Sequence, residues 1–279
     1  NASYWSEHPL AGNVGFAAQS GVIGTSLLAT KRIRDIGFST LINTGDEIDV
    51  SMSEVVDFLA QDKETGVIVL HIEGIRNPRE FFSAVREAAT HKPVIVLRSG
   101  KSLQASQLLA SRMGVPADDD KVFTALLERA GAIRVYGLEE MLSAIEIFGQ
   151  KRLPRSNRVG IISNGSGFGV LAADAASECD VKIATLSRTT TEKLHKIFDN
   201  PLPMTNPVDL WADADPRRIK LAVDALNKDE NVDAIIIVTA PTFAAPLERV
   251  CDAIAYATDA SDKPIITAWI GTSHTLSAK

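Results

Sequence analysis

Two short glycine-bearing turns carry residue types suited to holding an anion: Gln19-Ser20-Gly21 and Asn164-Gly165-Ser166-Gly167. Each follows an apolar run, Val14–Ala18 or Val159–Ser163, and precedes a helical pattern. Unpaired N–H groups and the positive dipole end at a helix start attract phosphate or carboxylate, and glycine lets the backbone approach it. The same residues also serve as plain caps of a strand-to-helix turn, so each turn taken singly admits both roles.

Several familiar chemistries are excluded by spacing. The second turn places glycines at 165, 167 and 169, not as G-x-G-x-x-G, and neither turn carries the Gly-Lys-Ser/Thr of a P-loop. Ser20 is flanked at two residues by Ala18 and Val22, and Ser166 by Asn164 and Phe168, so neither is a nucleophile elbow. No His or Cys spacing suggests zinc, and no metal ligands are expected. Of the five histidines, His71 ends an apolar run just before Glu73; it is read as a strand-end residue, with a catalytic role as its alternative. His8, His91, His195 and His274 sit in terminal or helical surface contexts.

The elements around these turns repeat. Val67–His71 corresponds to Ala234–Val238 as a short buried strand, each after a charged helix, Ser53–Gln61 or Pro216–Lys228. Each is followed by another helix and then by Lys92-Pro93-Val94-Ile95-Val96 or Lys263-Pro264-Ile265-Ile266-Thr267. Unbroken apolar strands alternating with helices imply parallel sheets covered on both faces. The fold class is therefore α/β, with two tandem doubly wound domains. The joint is expected near the basic, proline-containing segment 151–156. The boundaries read as a lead-in at 1–11, a first domain at 12–152 and a second at 153–279. Residues 1–11 are expected to be an expression scar and lead-in, and Thr272–Leu276 to open a further helix cut short at Lys279.

With 279 residues, 45% hydrophobic and 23% charged, the chain has ordinary globular composition and room for two cores. Its net charge of -6 gives no electrostatic footprint for nucleic acid or anionic lipid. Two cysteines, Cys179 and Cys251, are too few for a disulfide scaffold, and a reducing, cytoplasmic setting is expected. No apolar run approaches a membrane span.

The ordered series Gln19-Ser20-Gly21, Ile36–Ser39, Gly45–Asp49, Phe58–Thr65, Ile72-Glu73-Gly74-Ile75, Lys92-Pro93-Val94, Arg98–Ser102, Ala130–Val135, Ser163-Asn164-Gly165 and Asn206–Leu210 resembles the NDP-forming acyl-CoA synthetases, relatives of succinyl-CoA synthetase. The resemblance covers nearly the whole chain. It implies two flavodoxin-like ligase domains from the middle of a longer protein, completed by a CoA-binding domain and an ATP-grasp domain outside this chain. In that family a histidine carries phosphoryl between the acyl-CoA and nucleotide sites, steadied by two helix N-termini and a carboxylate. By this likeness Gln19, Ser20 and Gly21, with Asn164, Gly165, Ser166 and Gly167, are phosphate cradles. Glu73 is the partner carboxylate, or else an ordinary acid after a strand.

The family histidine is expected in a Ser-His-Thr-Gly stretch, where this chain reads Ser111-Arg112-Met113-Gly114. Arginine keeps its proton and offers only donors, so it can bind phosphate or a CoA pyrophosphate but cannot carry a phosphoryl group. The change resembles a subgroup fused to a GNAT lysine acetyltransferase. The leading expectation is therefore a non-catalytic module of such a protein, responsive to CoA or acetyl-CoA, with a GNAT domain and other copies of the chain as partners. The alternative is part of a genuine ADP-forming acyl-CoA ligase using ATP and Mg²⁺, with residue 112 not the counterpart of the family histidine or with the relay rerouted through His71. A dinucleotide-binding oxidoreductase, with Asp46 as ribose-binding acid, ranks third because the glycine spacing opposes it.

Overall fold

A computed structural model describes residues 9–29, 36–114, 119–149, 152–198, 204–242 and 247–271. The expectations for residues 1–8, the helix end at 30–35, and the 272–276 helix lie outside them. The chain divides into two compact units, Asn1–Lys151 and Arg152–Lys279. Arg152 donates to the carbonyls of Thr258 and Asp259, inside the second unit.

The first unit runs β1 (Leu10–Ala18), α1 (Gly21–Ala29), β2 (Gly37–Asn43), α2 (Met52–Gln61), β3 (Val67–Ile72), α3 (Pro78–Ala89), β4 (Val94–Arg98), α4 (Leu103–Met113), α5 (Asp120–Ala130), β5 (Ile133–Val135) and α6 (Leu138–Phe148). Its sheet is wholly parallel in the order β2-β1-β3-β4-β5. That is the flavodoxin order, whose strand direction of travel reverses between β1 and β3. Every residue of β3 and β4 is buried, as a sheet covered on both faces requires.

Alternate residues feed two cores. Ile68, Leu70, Ile72, Val94 and Val96 pack with Val55, Leu59, Phe81, Val85 and Leu127 from α2, α3 and α5. On the opposite face, Val67, Val69, Ile95 and Leu97 pack with Leu27 of α1 and Met141 and Ile145 of α6. Local signals set the helix starts. Ser51 and Glu54 form a capping box for α2, Pro78 opens α3, and Asp119 caps α5.

The second unit runs β6 (Arg158–Ser163), α7 (Ser166–Glu178), β7 (Lys182–Ile183), α8 (Arg188–Phe198), β8 (Val208–Asp209), α9 (Pro216–Asn227), β9 (Ala234–Thr239), α10 (Leu247–Asp259) and β10 (Ile265–Trp269). Its sheet is parallel in the order β10-β9-β6-β7, with β8 also on β6. One edge position, filled in the first unit by β2, is thus shared here by two two-residue strands on β6.

Physical devices repeat between the units along with the strand pattern. Lys92 donates Nζ to the carbonyls of Leu59 (2.8 Å) and Asp62, and Lys263 does the same to Leu226 (2.9 Å) and Asp229. Each lysine thereby satisfies carbonyls at the end of a helix, the favourable pole for a cation. Gly15 and Gly160 stand at matching places on β1 and β6. A Cβ there would come within 2.8 Å of Leu59 and 2.6 Å of Leu226, so both positions demand glycine for helix–sheet approach.

Candidate functional site

In a sheet of this order ligands sit beyond the carboxyl ends of the strands, at the point where the order reverses. In the first unit that point lies between β1 and β3, and the residues following those strands are Gln19 and Glu73. Gln19 is buried, and its side-chain amide is fully engaged. Its oxygen accepts from the backbone N–H groups of Glu73 and Gly74 (3.0 Å for the latter). Its nitrogen donates to the Gly74 carbonyl at 2.6 Å and to the Glu47 carboxylate.

Gln19 therefore clasps the loop carrying Glu73 and bridges it to the loop after β2. That is a different task from the phosphate cradle expected of it: none of its amide atoms is left to face a ligand unless these bonds break. Ser20 and Gly21 stay half-buried at the α1 start. A Cβ on Gly21 would meet the Asn43 amide at 2.5 Å, so the helix start is pressed against the end of β2.

The second unit repeats the clasp at its own reversal point, between β6 and β9. Asn164 donates to the Ala240 carbonyl (2.7 Å) and accepts from the Ala240 N–H (3.0 Å). Beyond it, Gly165 caps α7 without a side-chain hydrogen bond, and Ser166 and Gly167 are exposed. The first-turn N–H groups of α7 thus have no side-chain acceptor, the condition under which a helix start takes an anion. The loop after β9 offers no acid at the place of Glu73, so only the first unit has a carboxylate there.

Glu73 and Arg112 meet. The Arg112 guanidinium, on the last turn of α4, lies 3.8 Å from the Glu73 carboxylate. The acid side chain is 10% exposed and the arginine 62%, so the pair stands at the rim of the site with its cation toward solvent. At this separation and exposure it adds at most about 1 kcal/mol to stability. Its value lies in where it puts a positive charge.

His71 takes no part at the surface. It is 1% exposed, and its Nε2 is 2.9 Å from the Ser99 hydroxyl, while Nδ1 has no hydrogen-bond partner. Burial pushes its pKa down to about 4. A phosphoryl carrier must reach two substrates in turn, and an enclosed imidazole cannot. Rerouting of the relay through His71 is therefore overturned by its burial.

The same shift gives a stability prediction. Because the folded value lies below the ordinary 6.5, the unfolded chain binds the extra proton between the two. The contribution is fully present above pH 6.5 and lost as pH falls from 6.5 to about 4, and is worth about 3 kcal/mol. Urea unfolding of the first unit should lose stability over that window in wild type and much less in His71→Asn. Parallel pH profiles for the two proteins would contradict this.

One feature near the site was not legible from motif spacing. Arg134 donates to Asp120 (2.6 Å) and Arg98 approaches it to 3.9 Å, with Arg98 stacked 4.3 Å over Phe123. This network of charges and an aromatic ring ties α5 to the ends of β4 and β5. Gly100-Lys101-Ser102 follows β4, but Ile95 stands where a P-loop requires its first glycine, and Lys101 is held by the Tyr136 carbonyl. Among the described residues, no group of three or more His, Cys, Asp or Glu side chains could hold a metal ion. None of the described helices is long and apolar enough to cross a membrane.

Residues 11–148 match the succinyl-CoA ligase like flavodoxin domain. That match places the first unit in the succinyl-CoA ligase-like family, and the relatives of the chain as a whole support its likeness to the NDP-forming acyl-CoA synthetases. It is 36% identical over 234 residues to the alpha subunit of ADP-forming acetate–CoA ligase II of Pyrococcus furiosus, covering 84% of this chain and 51% of that one. It is 28% identical over 277 residues to the ADP-forming 4-hydroxybutyrate–CoA ligase of Nitrosopumilus maritimus, covering 97% of this chain and 39% of the relative. The fold superposes with a TM-score of 0.93 on the dinucleotide forming acetyl-coenzyme A synthetase 1 of Ca. Korarchaeum cryptofilum in complex with phosphate and ADP. That match has 23% identity and covers all of this chain and 61% of that one. The chain thus spans about half of the first relative and less of the second. Both relatives are named as ligases, which backs the ligase alternative better than the expectation of a GNAT-linked module, for which they give no support.

Proposed function

We propose that this chain is the ligase-domain pair of an ADP-forming acyl-CoA ligase, completed by CoA-binding and nucleotide-binding parts outside it. The observation that carries the reading is the Glu73–Arg112 pair at the strand-order reversal of the first sheet, held by the Gln19 clasp. In such a reaction the γ-phosphoryl of ATP passes to a carboxylate, giving an acyl phosphate and ADP. The CoA thiol then attacks the acyl carbon, releasing inorganic phosphate. Arg112 supplies a fixed cation for the phosphoryl oxygens, and Glu73 orients the guanidinium. The uncapped start of α7 gives the second unit its own anion site at Gly165, Ser166 and Gly167.

The test uses the complete protein with ATP, Mg²⁺, CoA and a panel of carboxylic acids. ADP release that requires both CoA and an acid is the expected result. Acetyl transfer from acetyl-CoA to lysine without ADP release would overturn the proposal. One observation favours a second reading, a module that binds acyl-CoA without turnover: residue 112 cannot carry phosphoryl. CoA binding with no ADP release under any acid would select it.

A further inference from the structure

A groove of about 600 Å³ lies in the first unit between the end of β2, the loop at 44–50 and α2. Its apolar surface is open: Ile48 is 95% exposed, Phe58 55% and Val50 49%. Single exposed apolar side chains need no explanation, but three lining one groove do. The charged residues lining it are all acids, Asp46, Asp49 and Glu54. Arg76, which is not among the lining residues, donates its Nε to the Asp46 carbonyl. The loop is firmly held, since Glu47 is bonded by Gln19 and Ser51 begins the capped helix α2.

The charge pattern chooses among occupants. Acyl phosphates, fatty carboxylates, acyl-CoA and anionic membranes all put negative charge beside an apolar part, and this rim repels them. A second copy of a chain with net charge -6 is also poorly matched. We propose that this groove docks a protein segment presenting apolar side chains flanked by lysine or arginine, contributed by the part of the ligase that lies outside this chain. Apolar anchors would fill the groove while the basic flanks meet Asp46, Asp49 and Glu54, an arrangement that gives both affinity and register. Through Gln19, which holds both Glu47 and the Glu73 loop, the docked segment would bear on the candidate site. The proposal rests on the ligase reading for the source of the partner.

The test mixes this chain with the separately purified remainder of the ligase and measures the dissociation constant by calorimetry. Ile48→Lys and Asp49→Lys, both at exposed positions, are each expected to weaken association by about tenfold or more, with the melting temperature of the chain alone unchanged. Raising the salt concentration should weaken the wild-type complex and leave less difference between wild type and Asp49→Lys. Unchanged affinity in both variants would overturn the proposal. So would loss of self-association in place of partner binding, or competition for the groove by acyl-CoA. ADP release by the unmodified complete protein is measured alongside. If it is absent while the variants behave as expected, docking stands and the ligase reading falls; if it is present while the variants bind normally, docking alone falls.

Discussion

Arg112→His, in the complete protein supplied with ATP and Mg²⁺, is expected to take up acid-labile, base-stable phosphate on this chain, whereas wild type takes up none at that position. The reasoning is chemical. Imidazole near neutral pH has an unprotonated nitrogen that attacks phosphorus, and a carboxylate beside the ring can hold the opposite N–H. A guanidinium has five N–H donors and no lone pair to offer. Residue 112 already lies beside Glu73, whose carboxylate is the group such a histidine would use. The expected labelling rises from background to roughly stoichiometric, and it should vanish in Arg112→His combined with Glu73→Ala. Labelling of the wild-type protein at residue 112 is chemically closed. If Arg112→His stays unlabelled while folding normally, then residue 112 is not at the phosphoryl position.

Gln19→Ala should produce the second large effect, on stability and rate together. The substitution removes a buried amide that satisfies the N–H groups of Glu73 and Gly74, the Gly74 carbonyl and the Glu47 carboxylate. Leaving buried polar groups unpaired costs about 2–4 kcal/mol in total, some of it recovered if water enters. For a unit of this size that is a fall of roughly 10 °C in the first unit's melting transition. Ligase rate should drop by on the order of 100-fold, because Glu73 is no longer fixed against Arg112. Gln19→Glu is informative because it keeps an acceptor for the two N–H groups yet sets a carboxylate against Glu47 and the Gly74 carbonyl. Calorimetry on both variants, with Asn164→Ala as the matching change in the second unit, checks the argument. A melting transition within about 1 °C of wild type in Gln19→Ala would contradict it.

Much of the architecture is legible in the sequence because it follows from short-range rules. Unbroken runs such as Val67–Leu70 and Ala234–Val238 must be buried on both faces, and the Lys-Pro pairs at 92 and 263 mark equivalent strand starts. Glu73 and Arg112 can be singled out by likeness, and the fold brings them to 3.8 Å. What could not be read is pairing across long sequence separations. Gln19 looks like one more turn residue until its amide is matched to a loop 54 residues away. His71 reads as a strand-end residue with a catalytic role as its alternative, and only the fold closes that alternative, by burying the ring one residue before the end of β3. The split of the β6 edge between β7 and β8 also escapes, because two-residue strands carry no periodicity. Nor do Ile48, Val50 and Phe58 stand out: only the fold gathers them beside three acids.

The account's central claim is that the Glu73–Arg112 pair sits where an ADP-forming ligase handles phosphoryl. The most direct measurement is CoA- and carboxylate-dependent ADP release by the complete protein, comparing wild type with Glu73→Gln. The substitution keeps the size of the side chain but removes the charge that orients the guanidinium. A fall in kcat of about 100-fold, with the melting temperature preserved, is the predicted result. ADP release that is equal in the two proteins would contradict the claim.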